Sequence, residues 1–234
     1  MATPNRISKH ERGIMASSNP TKVLLLGPAK RKLKLFDFCW AYTIFPPDMT
    51  QSGKTTLANF LSDAKDAIGQ YRPTVGCRIL EFQIESSQLA HHSSSRTNNN
   101  NTNNSEIQLW DCSADRNVSN CLPAIANDAA GVLLVYDITA DDHTTELEEL
   151  YNVWNNYLEL SPSRYLIVAR KWGDGQPNRK RTIKMGTLAR LSRVEWDIDS
   201  DGHRVQNEFR SFMSSVLLDI RRKREEEEIT ILKQ

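Results

Sequence analysis

The stretch Gln51-Ser52-Gly53-Lys54-Thr55-Thr56-Leu57-Ala58-Asn59-Phe60, "QSGKTTLANF", reads as the second half of a phosphate-binding loop running into a helix. The full motif is G-x-x-x-x-G-K-[ST]. It requires a glycine five positions before Gly53, and position 48 is Asp. A suitable glycine stands further upstream. "TKVLLLG" (21–27) is an apolar run stopped by Gly27, the pattern of a buried strand. Joining Gly27-Pro28-Ala29-Lys30 to Ser52-Gly53-Lys54-Thr55 spells "GPAKSGKT", which fits the motif at every position. Between them lie 21 residues, "RKLKLFDFCWAYTIFPPDMTQ" (31–51). Excising 29–49 instead leaves "GPTQSGKT", which fits too. The anchors are therefore Gly27, Gly53, Lys54 and Thr55, with Ser52 and Thr56 beside them.

The chemistry explains the residue types. Successive backbone N–H groups at a helix N-terminus curl round a phosphate. Glycines allow close backbone approach and φ > 0. Lys54 is expected to reach the β- and γ-phosphates and the Thr55 hydroxyl a Mg²⁺ ion. The insert opens a loop whose shortness makes its donors converge. Loop closure costs only about 0.6 kcal/mol per doubling of length. Each charge-assisted donor lost costs roughly 1.5–3 kcal/mol. The insert alternates Phe36, Phe38, Trp40, Tyr42 and Ile44 with smaller or polar residues. Two readings stand: sequence retained in frame that the mature product lacks, or an elaboration that alters nucleotide binding. The first is preferred because removing the insert restores an intact motif.

The chain has 234 residues, with 30 basic and 29 acidic residues and a net charge of +1. That balance argues against nucleic acid as a general partner. An apolar fraction of 39% is low enough to imply polar padding around one domain. Cys39, Cys77, Cys112 and Cys121 show no C-x-x-C spacing, which suits free thiols in a reducing compartment. No apolar run is long enough to span a membrane. Neither a signal peptide, a myristoylation site nor a prenylated cysteine is read, so no direct membrane anchor is expected.

The expected organisation is a disordered arm over 1–20, a domain over 21–220 and a charged tail over 221–234. Strands are expected at 21–27, 77–85, 106–111, 130–138 and 164–170, with helices at 54–64, 142–158 and 203–223. The polar tract "HHSSSRTNNNNTNNS" (91–105) is an enlarged hairpin loop. Strands alternating with helices give an α/β domain with a mostly parallel sheet.

Further guanine-nucleotide elements follow along the chain. Thr74, in "YRPTVGCRILEF", precedes the second strand, where a Mg²⁺-contacting threonine belongs. Asp111, in "LWDCSAD", is set to reach Mg²⁺ through water; Ala114 stands where a γ-phosphate-sensing glycine is usual, and Asp115 where a glutamine orients the attacking water. Hydrolysis should be slow. In the base-reading element [NT]-K-x-D, Lys171 matches, Arg170 replaces Asn or Thr, and the acid falls one place late at Asp174.

With these residues in view, the chain resembles the Rab-like small GTPases of intraflagellar transport, the fifth Rab-like subfamily. The likeness rests on "KVLLLGPAK…SGKTTLANFL", "YRPTVGCRILEF", "IQLWDC", "PAIANDAAGVLLVY" and "RYLIVARK". It implies a Ras-like P-loop NTPase fold, with a six-stranded, mostly parallel sheet and helices on both faces. It implies GTP and Mg²⁺ as ligands and a role in cilium assembly, with the weak or absent hydrolysis that Asp115 already suggests. The implied partners are other subunits of the intraflagellar transport B complex, among them a coiled-coil pair, in the cytoplasm, the cilium or flagellum and its base. A pseudo-GTPase scaffold that has lost nucleotide through the split loop is the alternative. A metabolic P-loop kinase is disfavoured, because nucleotide kinases place helices where "EFQIE" and "IQLWD" read as strands.

Overall fold

The computed structural model describes residues 19–28, 52–63, 74–89, 104–113, 121–138, 143–171, 186–197 and 202–233. The insert, most of the Asn-rich tract, Ala114, Asp115 and Asp174 lie outside these residues.

Six strands form one sheet: β1 (Thr21–Leu26), β2 (Cys77–Ile84), β3 (Ser105–Cys112), β4 (Ala129–Asp137), β5 (Tyr165–Lys171) and β6 (Ser192–Asp197). Their spatial order is β2-β3-β1-β4-β5-β6. Only β2 runs antiparallel, paired with β3 from Cys77↔Cys112 to Ile84↔Ser105. The other neighbours are parallel.

Apolar runs become the central strands because both faces of a parallel sheet are covered. Side chains alternate between faces, so β1 sends Val23 and Leu25 to one core and Leu24 and Leu26 to the other. The first face is covered by α1 (Lys54–Leu61) and α4 (Gly202–Leu232), through Leu57, Ala58, Phe209, Phe212 and Met213. The second is covered by α2 (Leu122–Ala126) and α3 (His143–Leu158), through Ile125, Leu147, Tyr151 and Trp154. At roughly 1.5–3 kcal/mol per buried large apolar side chain, these two layers hold the sheet ends in fixed register.

The five strands read from sequence appear within a residue or two. The sequence reading assigns no residues to β6. Its Val194 and Trp196 alternate inward as a half-buried strand should, and Trp196 is fully buried. The last helix is longer than read: 221–232 remains helical although solvated, because Arg, Lys and Glu are strong helix formers. Among the described residues no helix is long and apolar enough to cross a membrane.

Candidate functional site

The two halves of the interrupted motif lie side by side. Gly27 directly follows β1, and Ser52 and Gly53 directly precede α1. A Cβ added to Gly27 would collide with the Val135 carbonyl oxygen and sit 2.9 Å from Ser52 Oγ. Only glycine lets the Val135 backbone and the Ser52 side chain both approach there. Gly53 has φ 84°, a left-handed conformation that side chains rarely adopt, and accepts the first helical hydrogen bond from Leu57 N–H at 2.9 Å. Gly27 and Gly53 thus frame a strand-to-helix turn, although they stand 26 positions apart in the sequence.

Around that turn the predicted side chains gather. Lys54 Nζ donates to Ser52 Oγ at 3.1 Å, and Ser52 is buried. The Thr55 hydroxyl donates to Asp111 Oδ2 at 2.7 Å and lies 3.0 Å from Thr74 Oγ1. Thr74 donates to the same carboxylate oxygen at 3.3 Å. Three segments, the first turn of α1, the approach to β2 and the end of β3, therefore deliver oxygens to one point. Thr56 follows in the first turn of α1, partly buried.

Asp111 is fully buried, and its Oδ1 has no hydrogen-bond partner. A buried carboxylate oxygen left bare is costly unless a cation or donor is meant to meet it. Burial lowers the pKa of Lys54 while the Asp111 charge opposes that shift. Arg78, on β2, brings Nε to 4.0 Å from Asp111 Oδ2 and donates to Asn59 of α1. The oxygens suit a hard divalent ion such as Mg²⁺, which takes one or two carboxylates and leaves its other positions to water and phosphate. Among the described residues no cluster of three or more His, Cys, Asp or Glu offers a competing metal site.

The base-reading end is arranged differently. Arg170 closes β5 and is buried; a Cβ on Gly53 would collide with its Nη1 and lie 2.5 Å from its Cδ. The arginine side chain therefore lies against the phosphate-loop glycine, and its Cζ stands 5.8 Å from the Trp196 ring centre. Burial lowers its pKa, opposed by the charge of Asp137, its partner in the β4–β5 register. Lys171 is not turned to the loop cluster: its Nζ lies 2.7 Å from Glu195 Oε2 on β6. That hydrogen bond, ahead of the charges of Lys171, Arg193 and Arg204, holds the Glu195 carboxyl below its ordinary range. The sequence does not disclose the Arg170–Gly53 contact; its only signal there is a long cation where a short amide belongs.

Similarity to known proteins follows the same layout. A profile described as "Roc: Ras of Complex, Roc, domain of DAPkinase" matches residues 49–173, starting at the second half of the split loop. A Xenopus tropicalis protein, "Intraflagellar transport protein 22 homolog", is 32% identical over 184 residues, covering 78% of this chain and 94% of its own. The chain belongs to the intraflagellar transport protein 22 family. Its fold is that of a Ras-like P-loop NTPase. A GDP-bound crystal structure of T. brucei IFT22 superposes with a TM-score of 0.52 at 20% identity, over 86% of this chain and 97% of that one. A GTP-bound crystal structure of T. brucei IFT22/74/81 gives 0.51 at 21% identity, over 86% and 99%. Both likenesses concern the fold. Against the general phosphate-loop and base-reading patterns, this member of the intraflagellar transport protein 22 family departs by its insert and by the buried Arg170.

Proposed function

We propose that this chain is a GTP- and Mg²⁺-binding subunit of the intraflagellar transport B complex, with weak or absent hydrolysis, that supports cilium assembly. The observation that carries this reading is the convergence of Thr55, Thr74 and the half-satisfied Asp111 beside a closed Gly27–Gly53 turn. A Mg²⁺ ion held by these residues would neutralise phosphate charge. Lys54 and the first N–H groups of α1 supply positive potential at the same place. Ser52 and Thr56 complete the cradle, with Ala114 a further candidate for the γ-phosphate. Lys171 and Asp174 are the base-side candidates, with Lys171 contributing little while it pairs with Glu195. Asp115 offers no amide to orient water, which favours assembly over turnover. The T. brucei IFT22/74/81 structure supports other subunits of the transport complex as partners, with a coiled-coil pair as the proposed docking element. The cytoplasm, the cilium or flagellum and its base are the proposed sites of action.

A pseudo-GTPase scaffold is the second reading, favoured by the Arg170 side chain lying on Gly53. Titration of a fluorescent GTP analogue with Mg²⁺ separates the two. The full chain is expected to bind, and a version lacking 31–51 to bind about tenfold more tightly or better, since reordering even one lost charge-assisted donor is worth roughly 1.5–3 kcal/mol. Binding by the shortened chain alone decides for the scaffold. Binding by neither refutes a phosphate site altogether.

A further inference from the structure

Cys77 and Cys112 are not among the side chains that gather at the loop turn, yet they face each other beside that site. They are directly opposed in the β2–β3 ladder. Ser113 N–H donates to the Gly76 carbonyl at 2.8 Å, so Gly76/Ser113 is a hydrogen-bonded pair. Its neighbour Cys77/Cys112 is then a non-hydrogen-bonded pair, whose α-carbons lie about 4.5 Å apart with side chains on one face. That separation falls inside the window of about 4.4–6.8 Å that a disulfide spans. The two sulfurs are already 3.5 Å apart as thiols, and bonding needs an approach of about 1.5 Å in all. Cys77 is half-buried and reachable, whereas Cys112 is buried behind it. One attackable thiol with a resolving thiol at its back is the arrangement of a reversible oxidation site.

We propose that Cys77 and Cys112 form a peroxide-oxidisable dithiol that closes into a cross-strand disulfide. Cys77 sulfur attacks one oxygen of hydrogen peroxide, giving a sulfenic acid and one water. Cys112 sulfur then attacks the sulfenic sulfur; the S–S bond forms, the S–O bond breaks and a second water leaves. Two thiols and one peroxide yield one disulfide and two waters, and a dithiol such as thioredoxin reverses the step. Thr74 lies three residues before Cys77, and Asp111 precedes Cys112. The bond therefore staples together the two segments that carry those side chains, one from the approach to β2 and one from the end of β3. Oxidation would limit their relative movement without touching the phosphate turn.

The test uses the full chain carrying Cys39→Ser and Cys121→Ser, with stoichiometric hydrogen peroxide as the probe. The expected result is loss of both remaining thiols, a mass lower by two hydrogen atoms, and one linked peptide pair joining Cys77 to Cys112 after non-reducing digestion. The oxidised form should melt several degrees higher and return to its starting melting point on reduction. Amide exchange should slow at 76–78 and 111–113. Adding Cys77→Ser should abolish the linked pair, and melting of that variant before oxidation checks that it folds. Sulfinic acid at Cys77 without linkage, or disulfide-linked dimers, would overturn the proposal. So would an unchanged or lowered melting point after oxidation. None of these readouts depends on nucleotide, so they hold equally for a chain that takes no GTP.

Discussion

The phosphate end and the base end of the site are built from strand tips on either side of β4, yet they differ in kind. At the phosphate end, short side chains and backbone converge: Ser52, Thr55 and Thr74 are small, and Asp111 keeps one buried oxygen bare. At the base end, long side chains are already engaged. Arg170 lies over Gly53, and Lys171 is bonded to Glu195. The first is arranged for a ligand to complete, whereas the second is largely completed by the protein itself. A guanine reader must hold its acid and amide ready for the base, because a group already paired within the protein gains little by exchanging partners. Phosphate affinity can therefore outlast base selectivity in one fold.

The largest expected effect breaks the phosphate end. Lys54→Ala removes a cation that stands beside the turn and, on the proposed function, two or more charge-assisted hydrogen bonds to phosphate, each worth about 1.5–3 kcal/mol. GTP-analogue affinity should fall on the order of 10²-fold or more, measured by fluorescence titration with Mg²⁺. GTP, ITP and XTP should fall together, since the lysine sees phosphate and not base. A loss confined to GTP would reverse the comparison between the two ends.

A mid-sized effect joins the ends. Gly53→Ala places a Cβ on a residue with φ 84° and drives it into the Arg170 guanidinium. Backbone strain of this kind costs about 1–3 kcal/mol, and the clash adds to it. In an Arg170→Ala background the clash is gone and only the strain remains. The double mutant should then be less destabilised than the sum of the singles, with a coupling of about 0.5–3 kcal/mol in urea melts. Additive effects would mean that the arginine does not rest on the loop.

How much of this is legible follows the range of the interactions. β1, Gly27 and α1 can be joined across the insert because the motif dictates residue types at fixed offsets from a strand end. β4 and β5 are legible as apolar runs, which only doubly covered strands need. Thr55, Thr74 and Asp111 can be named one by one, but their meeting at one carboxylate oxygen depends on packing three distant segments. β6 is short and alternates only Val194 and Trp196 inward, a signal too brief to stand out. Arg170 on Gly53 and Cys77 opposite Cys112 are partnerships between residues far apart in sequence, and no local pattern encodes a partner. Lys171 matches its motif letter, yet letters do not record that β6 brings Glu195 within 2.7 Å.

The smallest effect tests that last pairing. The folded Glu195 carboxyl titrates below the ordinary glutamate value of 4.5, chiefly because Lys171 donates to it. A depressed carboxyl stabilises the fold fully above the unfolded value and loses that contribution as pH falls through the folded value. Both side chains are more than a third exposed, at 44% and 39%, so solvent screening keeps the pair at about 0.2–1 kcal/mol. Lys171→Met should therefore lower stability by less than about 1 kcal/mol at pH 7, and the difference from the parent should shrink once the pH drops well below 4.5. GTP-analogue affinity should change less than twofold, because a lysine held by Glu195 is not reading the base. A tenfold loss of affinity in this variant would mean that Lys171 leaves Glu195 when nucleotide arrives. The base end would then be as dependent on ligand as the phosphate end.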